Sequence, residues 1–257
     1  MLVMMAHSIT ARPNARRWPV AGQRLALVWL VRYQVLDFSQ NQRRALAGSR
    51  PALQRWFGWT LDLGPIILAS ASPRRGEVLQ AAGIPFEAQA SSVEERQLPG
   101  EAPDELVRRL AAEKAEAVAR RRPGETRPVV GADTEVVVDG QVLGKPASDV
   151  QAARMLRLLS GRAHTVITGL CVLQPATGWR RVEAVSTTVF FATLSEDEIH
   201  DYLQSGEPRD KAGAYAIQGL ASKFVERIEG CYFNVMGLPV ATLYRMLREQ
   251  KAESRRQ

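Results

Sequence analysis

Four short segments set oxygen and nitrogen donors beside turn-forming residues: Ser70-Ala71-Ser72-Pro73-Arg74-Arg75, Gly131-Ala132-Asp133-Thr134, Gly144-Lys145-Pro146 and Asp210-Lys211-Ala212-Gly213. Hydroxyls, guanidinium forks, carboxylates and ammonium groups in these settings are equipment for phosphate and divalent metal. In the first segment a helix opening at Pro73 aims backbone N–H groups and its positive end at an anion. Ser70 and Ser72 add hydroxyl donors, and Arg74 and Arg75 add planar forks that match phosphate oxygens. Asp133 closes an apolar strand, and in open α/β sheets ligands gather at the carboxyl ends of strands. A carboxylate there holds Mg²⁺ or takes a proton from water, and the sequence leaves both roles open.

Lys145 precedes a proline that holds its backbone extended, and its ammonium suits phosphate charge. Asp210 is a candidate metal ligand or orienting group, and Lys211 a candidate phosphate ligand. Both stand in a long loop of small residues, a setting often used for function. In the same loop Gln218 offers a donor and an acceptor, which suits the edge of a pyrimidine base. Glu94 and Glu95 are candidate metal ligands. Lys114 lies mid-helix between Glu113 and Glu116 and reads as part of a solvated face. His7, His164 and His200 are scattered, so neither histidine-ligated zinc nor a Ser-His-Asp triad has support. These groups point to an enzyme acting on a phosphorylated small molecule.

The elements that must position these groups follow from periodicity and punctuation. A buried strand at 66–69 leads into a helix at 73–82, with Ser72 as its cap and Gly83 as its stop. A longer helix spans 104–122, with Leu106, Val107, Leu110, Ala111 and Ala115 on one face. A second buried strand, 128–132, ends on Asp133, and 135–143 forms a hairpin turning at Asp139-Gly140. Helices follow at 149–159, capped by Ser148, and at 195–206, opened by the capping box Ser195 to Glu198. Two β-rich runs, 165–174 and 181–192, flank a turn at 176–178. A strand at 224–228 and a helix from Pro239 to about 250 complete the domain. Alternating strands and helices with an antiparallel hairpin give an α/β class with a mixed sheet.

The charge is divided unevenly. Residues 1–60 hold nine Arg, no Lys and one acid, Asp37, whereas the whole chain carries +7. The part bearing the four segments is therefore close to neutral, which argues against nucleic acid as its ligand. Residues 1–63 read as a basic extension, with Trp18, Trp29, Trp56 and Trp59, dispensable for chemistry. An organelle-targeting peptide, an upstream translation, and an anchor for nucleic acid or anionic membrane are the competing readings. The apolar run 25–31 is broken by Arg32 and is too short to span a bilayer. Cys171 and Cys231 read as reduced packing thiols of a cytoplasmic protein. Residues 64–250 form the catalytic domain, and 251–257 a charged tail.

Taken together, L-A-S-A-S-P-R-R (68–75), V-G-A-D-T (130–134), G-K-P (144–146), L-S-G-R (159–162), D-K-A-G-A-Y-A-I-Q-G (210–219) and V-M-G-L-P (235–239) resemble the Maf family of nucleoside triphosphate pyrophosphatases. The resemblance covers 66–248. It implies a mixed-sheet fold with flanking helices, related to the inosine triphosphate pyrophosphatases, with two lobes around a central cleft. It implies hydrolysis of dTTP and UTP, and of modified pyrimidine triphosphates, to the monophosphate and pyrophosphate, in nucleotide-pool sanitation. Asp133 falls on the family's proton acceptor, and Arg74, Thr134 and Gln218 on the positions its dTTP/UTP branch uses for base choice. Phosphate is then held by Ser70, Ser72, Arg75, Lys145 and Lys211, and Mg²⁺ or Mn²⁺ by Asp133, Glu95 and Asp210. A homodimer is a family-level expectation. The alternatives are a nucleotide-binding regulator of cell division without turnover and a pyrophosphatase of the 7-methyl-GTP branch.

Overall fold

The computed structural model describes residues 63–255. The basic extension, apart from its last residue, and the end of the charged tail lie outside the described residues. Strands β1 (Ile66–Leu68), β2 (Phe86–Ala88), β3 (Val129–Val138), β4 (Gln141–Leu143), β5 (Ala163–Gln174), β6 (Trp179–Phe191) and β7 (Val225–Glu229) form one sheet. Helices α1 (Pro73–Ala81), α2 (Pro103–Arg120), α3 (Asp149–Leu159), α4 (Glu196–Gln204), α5 (Tyr232–Val235) and α6 (Val240–Ser254) surround it. Short 3₁₀ turns fill Glu207–Asp210, Ala212–Ala214 and Leu220–Phe224.

The strand order is β2-β1-β3-β5-β6-β7, with β4 beside β3. β2, β1 and β3 run parallel and the other pairs antiparallel, so the sheet is mixed, as the alternation of elements implies. Ser148 and Ser195 cap α3 and α4 through their hydroxyls. Asp139 and Gly140, at φ +49° and +76°, make the tight turn between β3 and β4.

Two expectations are corrected. Ser72 precedes α1 but makes no side-chain cap, and its N–H instead donates to Ser70 Oγ. Asp133 does not end a strand. It stands in the middle of β3, because β3 pairs with the long β5 without interruption from Val129↔Leu173 to Val137↔Thr165.

β3 has different neighbours on its other edge. β1 reaches only to Leu68↔Val130, and β4 begins at Val136↔Leu143. No described strand pairs with this edge over 131–135. The core divides at the same place. Val130 and Ala132 pack with Leu68 of β1, Leu79 of α1 and Met246 of α6. Val136 and Val138 pack with Leu156 and Leu159 of α3 and with Phe191 and Phe224. These are the two lobes, and the gap in the sheet edge lies between them.

α2 lies against one face of β3 and β5 at unusually short range. A Cβ at Gly131 would lie 2.0 Å from the Ala111 carbonyl oxygen, and one at Gly169 would lie 2.1 Å from that of Val107. Only residues without a side chain allow this approach. Asp133 sits on the same face as Gly131, two residues on, and pairs in register with Gly169. The helix therefore comes closest to the sheet where the carboxylate is.

Candidate active site

A cleft of about 820 Å³ opens over the uncovered edge of β3. It is lined by residues of all four segments singled out in the sequence. Of the expected site residues it gathers Ser70, Ser72, Arg74, Arg75, Glu95, Asp133, Thr134, Lys145, Asp210, Lys211 and Gln218, and leaves out Glu94. One surface thus gathers groups that the chain spreads over almost 150 positions.

At its centre Lys114 of α2 reaches Asp133. The Lys114 Nζ donates to Asp133 Oδ1 at 2.5 Å and to Glu95 Oε1 at 2.6 Å. Lys145 Nζ donates to the other oxygen of Glu95 at 2.6 Å. Lys114 and Asp133 are both buried, which corrects the expectation that Lys114 belongs to a solvated face. Lys114 falls within the stripe of Leu110, Ala111, Ala115 and Val118 that packs on the sheet. A charge set within an apolar stripe at helical spacing was the available signal.

The carboxylates divide by their partners. Burial opposes ionisation of Glu95, but hydrogen bonds from Lys114 and Lys145 outweigh it and bring its pKa down to about 2. Glu135, two residues beyond Asp133 on the same face, is pushed up to about 7 by burial and by the charges of Asp133 and Glu95. Asp133 Oδ2 and Glu135 Oε2 are buried and have no hydrogen-bond partner. The sequence reading passed over Glu135, although its position two residues from Asp133 was the clue.

On the opposite face of β3, Thr134 belongs to a chain of hydrogen bonds. Thr168 Oγ1 donates its one proton to the carbonyl of Asn234. Thr134 must therefore donate to Thr168, 3.0 Å away, and its lone pairs receive Arg75 Nη2 at 3.2 Å. Arg75 also donates to Ser70 Oγ at 2.9 Å and to the Gly237 carbonyl at 2.8 Å. Gly237 explains the V-M-G-L-P segment, since it supplies the acceptor that fixes Arg75. Burial lowers the pKa of Arg75, although the carboxylates of Asp133 and Glu95 work against that.

Arg74 points outward. Its Nη1 meets Asp210 Oδ2 at 3.3 Å across the mouth of the cleft. Asp210 also accepts from Lys211 at 2.6 Å, and Lys211 donates to the Glu207 carbonyl. Asp210 is thus engaged with two cations, apart from the Lys114–Asp133–Glu95 group. Among the described residues, no three His, Cys, Asp or Glu side chains converge as a ready metal site.

The remaining groups of note are structural. His164 is buried, with Nε2 2.8 Å from the Tyr215 hydroxyl, and burial lowers its pKa to about 4. Cys171 is buried and its thiol is pushed up to about 12, which leaves it inert at neutral pH. Among the described residues both cysteines are free, and no helix is long and apolar enough to cross a membrane.

The profile described as Maf-like protein matches residues 65–250. The dTTP/UTP pyrophosphatase of Koribacter versatilis (strain Ellin345) is 50% identical over 190 residues, covering 74% of this chain and 96% of the relative. The dTTP/UTP pyrophosphatase of Syntrophomonas wolfei subsp. wolfei is 51% identical over 180 residues, covering 70% and 94%. The solved structure of the Staphylococcus aureus Ham1 protein aligns over 73% of this chain and 100% of its own, at 14% identity and a TM-score of 0.39.

Proposed function

Since the chain belongs to the family of Maf-like proteins, we propose that it is a nucleoside triphosphate pyrophosphatase acting on dTTP, UTP and modified pyrimidine triphosphates in the cytoplasm. The observation that carries the reading is the buried Lys114–Asp133 pair, with Glu95 and Lys145 beside it, inside the cleft that gathers the four segments.

The reaction needs water to attack the α-phosphorus while the bond to the β-phosphate oxygen breaks and pyrophosphate leaves. Lys114 holds Asp133 through Oδ1, and Oδ2 stays open to receive the proton of the attacking water. Lys114 has three N–H donors and uses two on carboxylates, so the third is available to an α-phosphate oxygen. Arg75 holds the floor of the cleft rigid and keeps two of its five donors for phosphate. Lys145, Lys211, Ser70 and Ser72 add charge and donors along the triphosphate. Preorganised charge of this kind carries most of the rate in phosphoryl chemistry.

Arg74, Thr134 and Gln218 set base choice in this reading. Arg74 and Gln218 do so directly at the cleft wall. Thr134 acts by orienting Arg75, because its own donor and one of its lone pairs are engaged.

A divalent cation, Mg²⁺ or Mn²⁺, when bound, neutralises phosphate charge and lowers the pKa of coordinated water. The residues fit one, because buried carboxylate oxygens of Asp133 and Glu135 lack partners. Of the three carboxylates expected to hold it, Asp133 keeps an oxygen open. Glu95 and Asp210 each have two cationic partners to exchange before they turn to a metal.

The test is incubation of the purified chain and Mg²⁺ with dTTP, UTP, CTP, GTP and 7-methyl-GTP, scoring pyrophosphate against orthophosphate. The expected result is pyrophosphate mainly from dTTP and UTP. Orthophosphate as product, preference for 7-methyl-GTP, or binding without turnover overturns it.

A further inference from the structure

Four carboxylates line the cleft, and they differ in what already satisfies them. Both oxygens of Glu95 accept from lysines. Asp210 accepts from Arg74 and Lys211. Asp133 accepts from Lys114 on one oxygen. Glu135 alone among the four has no cationic side chain in hydrogen-bond contact, and its Oε2 is buried without any partner. It stands two residues from Asp133, itself only 3% exposed and with Oδ2 equally unpartnered.

We propose that Glu135 is the protein's anchoring ligand for the divalent cation, which leaves Asp133 to take the proton. The inference rests on the pyrophosphatase reading of the same cleft. A buried carboxylate oxygen with no donor is costly unless something positive comes to it. An ammonium at 2.5 Å already serves Asp133, and it repels a second cation there. No cation hydrogen-bonds to Glu135: Lys145 and Lys114 act on it only through space, and the negative charges of Asp133 and Glu95 outweigh them. One or two carboxylates suffice for a cation that arrives with a triphosphate, because Mg²⁺ completes its octahedron with phosphate oxygens and water. This accounts for the absence of a three-ligand cluster among the described residues. It also separates the metal from the base, a division the sequence left open.

The experiment titrates Mn²⁺ by its free-ion paramagnetic resonance signal into the full-length chain saturated with α,β-imido-dUTP, which is not cleaved at the α–β bridge. Wild type, Glu135→Gln, Glu135→Asp and Asp133→Asn are compared, each with a thermal melt. The expected result is a Mn²⁺ affinity lowered about tenfold or more in Glu135→Gln, nearly unchanged in Asp133→Asn, and partly kept in Glu135→Asp. Wild-type affinity in Glu135→Gln, with or without a raised melting temperature, overturns the assignment and leaves Glu135 a buried carboxyl of no metal role. Loss of Mn²⁺ in Asp133→Asn alone overturns it in favour of Asp133. If Glu135→Gln does not fold, Glu135→Asp and Asp133→Asn decide by the same comparison. Pyrophosphate release from UTP by wild type is read separately, so failure here leaves the substrate reading standing, and failure there is visible on its own.

Discussion

Two of the cleft's ion pairs are built to opposite rules. Lys114–Asp133 lies at the bottom, at 2.5 Å, with both side chains 5% exposed. Arg74–Asp210 lies at the mouth, at 3.3 Å, with side chains 25% and 67% exposed. The inner pair joins a long helix to the central strand, and the glycines that let α2 approach set its separation. The outer pair joins the start of a helix to a loop and is screened by water. Taking two charges out of water is expensive, and well-packed apolar residues often serve stability as well or better. The inner pair is therefore poorly explained as a device for holding the fold, and well explained as a charge fixed in advance of the substrate. The outer pair costs little to break, which suits the base-choice role proposed for Arg74.

Removing one member of each pair tests this contrast, and the largest effects belong to the inner one. Asp133→Asn and Lys114→Met should each lower pyrophosphate release about 10³-fold. Lys114→Met should also cost about 3 kcal/mol in denaturant melts, because it strands a buried carboxylate. Arg74→Met should cost below ~1 kcal/mol. The double variant Lys114→Met/Asp133→Leu should regain most of the stability and none of the activity. A double variant as unstable as the single one would mean that the pair holds the fold after all.

The next test leaves both charges in place and moves the helix. Gly131→Ala sets a methyl 2.0 Å from a backbone oxygen of α2, which cannot swing aside as a side chain tip can. The expected cost is about 3 kcal/mol, the upper end of overpacking, with turnover falling as Lys114 is lifted from Asp133. Unchanged turnover in a folded Gly131→Ala chain would show that the inner pair tolerates displacement.

A pH-dependent test concerns the loop behind the outer pair, which is tied to β5 where His164 meets Tyr215. His164 is depressed from 6.5 to about 4 by burial. A depressed histidine contributes stability that is present above pH 6.5 and lost as pH falls towards 4. At pH 5 the loss from this group is about 2 kcal/mol. Thermal melts of His164→Gln should therefore vary less between pH 7 and 5 than those of wild type. Parallel pH profiles would remove His164 as the sensitive group.

Much of this was readable from residue order. The caps at Ser148 and Ser195 and the turn at Asp139-Gly140 are local chemistry, written within a few positions of where they act. The six segments, read together, named the family and many of the cleft residues, though not Lys114 or Glu135. What was not readable depends on partners far away in the chain. A polar pair after Gly131-Ala132 looks like the end of a strand, and only β5, more than 30 residues on, carries β3 through it. Lys114 looks solvated between two glutamates until the helix is laid on the sheet. Arg74 and Asp210 meet across 136 positions, and no periodicity announces such a contact. Thr134 directly follows Asp133, yet strand alternation turns it to the other face, where it serves Arg75.

The uncovered edge of β3 has one more consequence. An open strand edge invites foreign backbone, and long flat edges lead to aggregation. Here β1 and β4 close on the same edge from either end, leaving only 131–135 unpaired by a described strand along it. That stretch carries two carboxylates, Asp133 and Glu135. It is too short and too acidic to template another strand. The opening proposed to admit a nucleotide is thus one that an intruding peptide cannot extend, and the sheet keeps its gap without becoming adhesive.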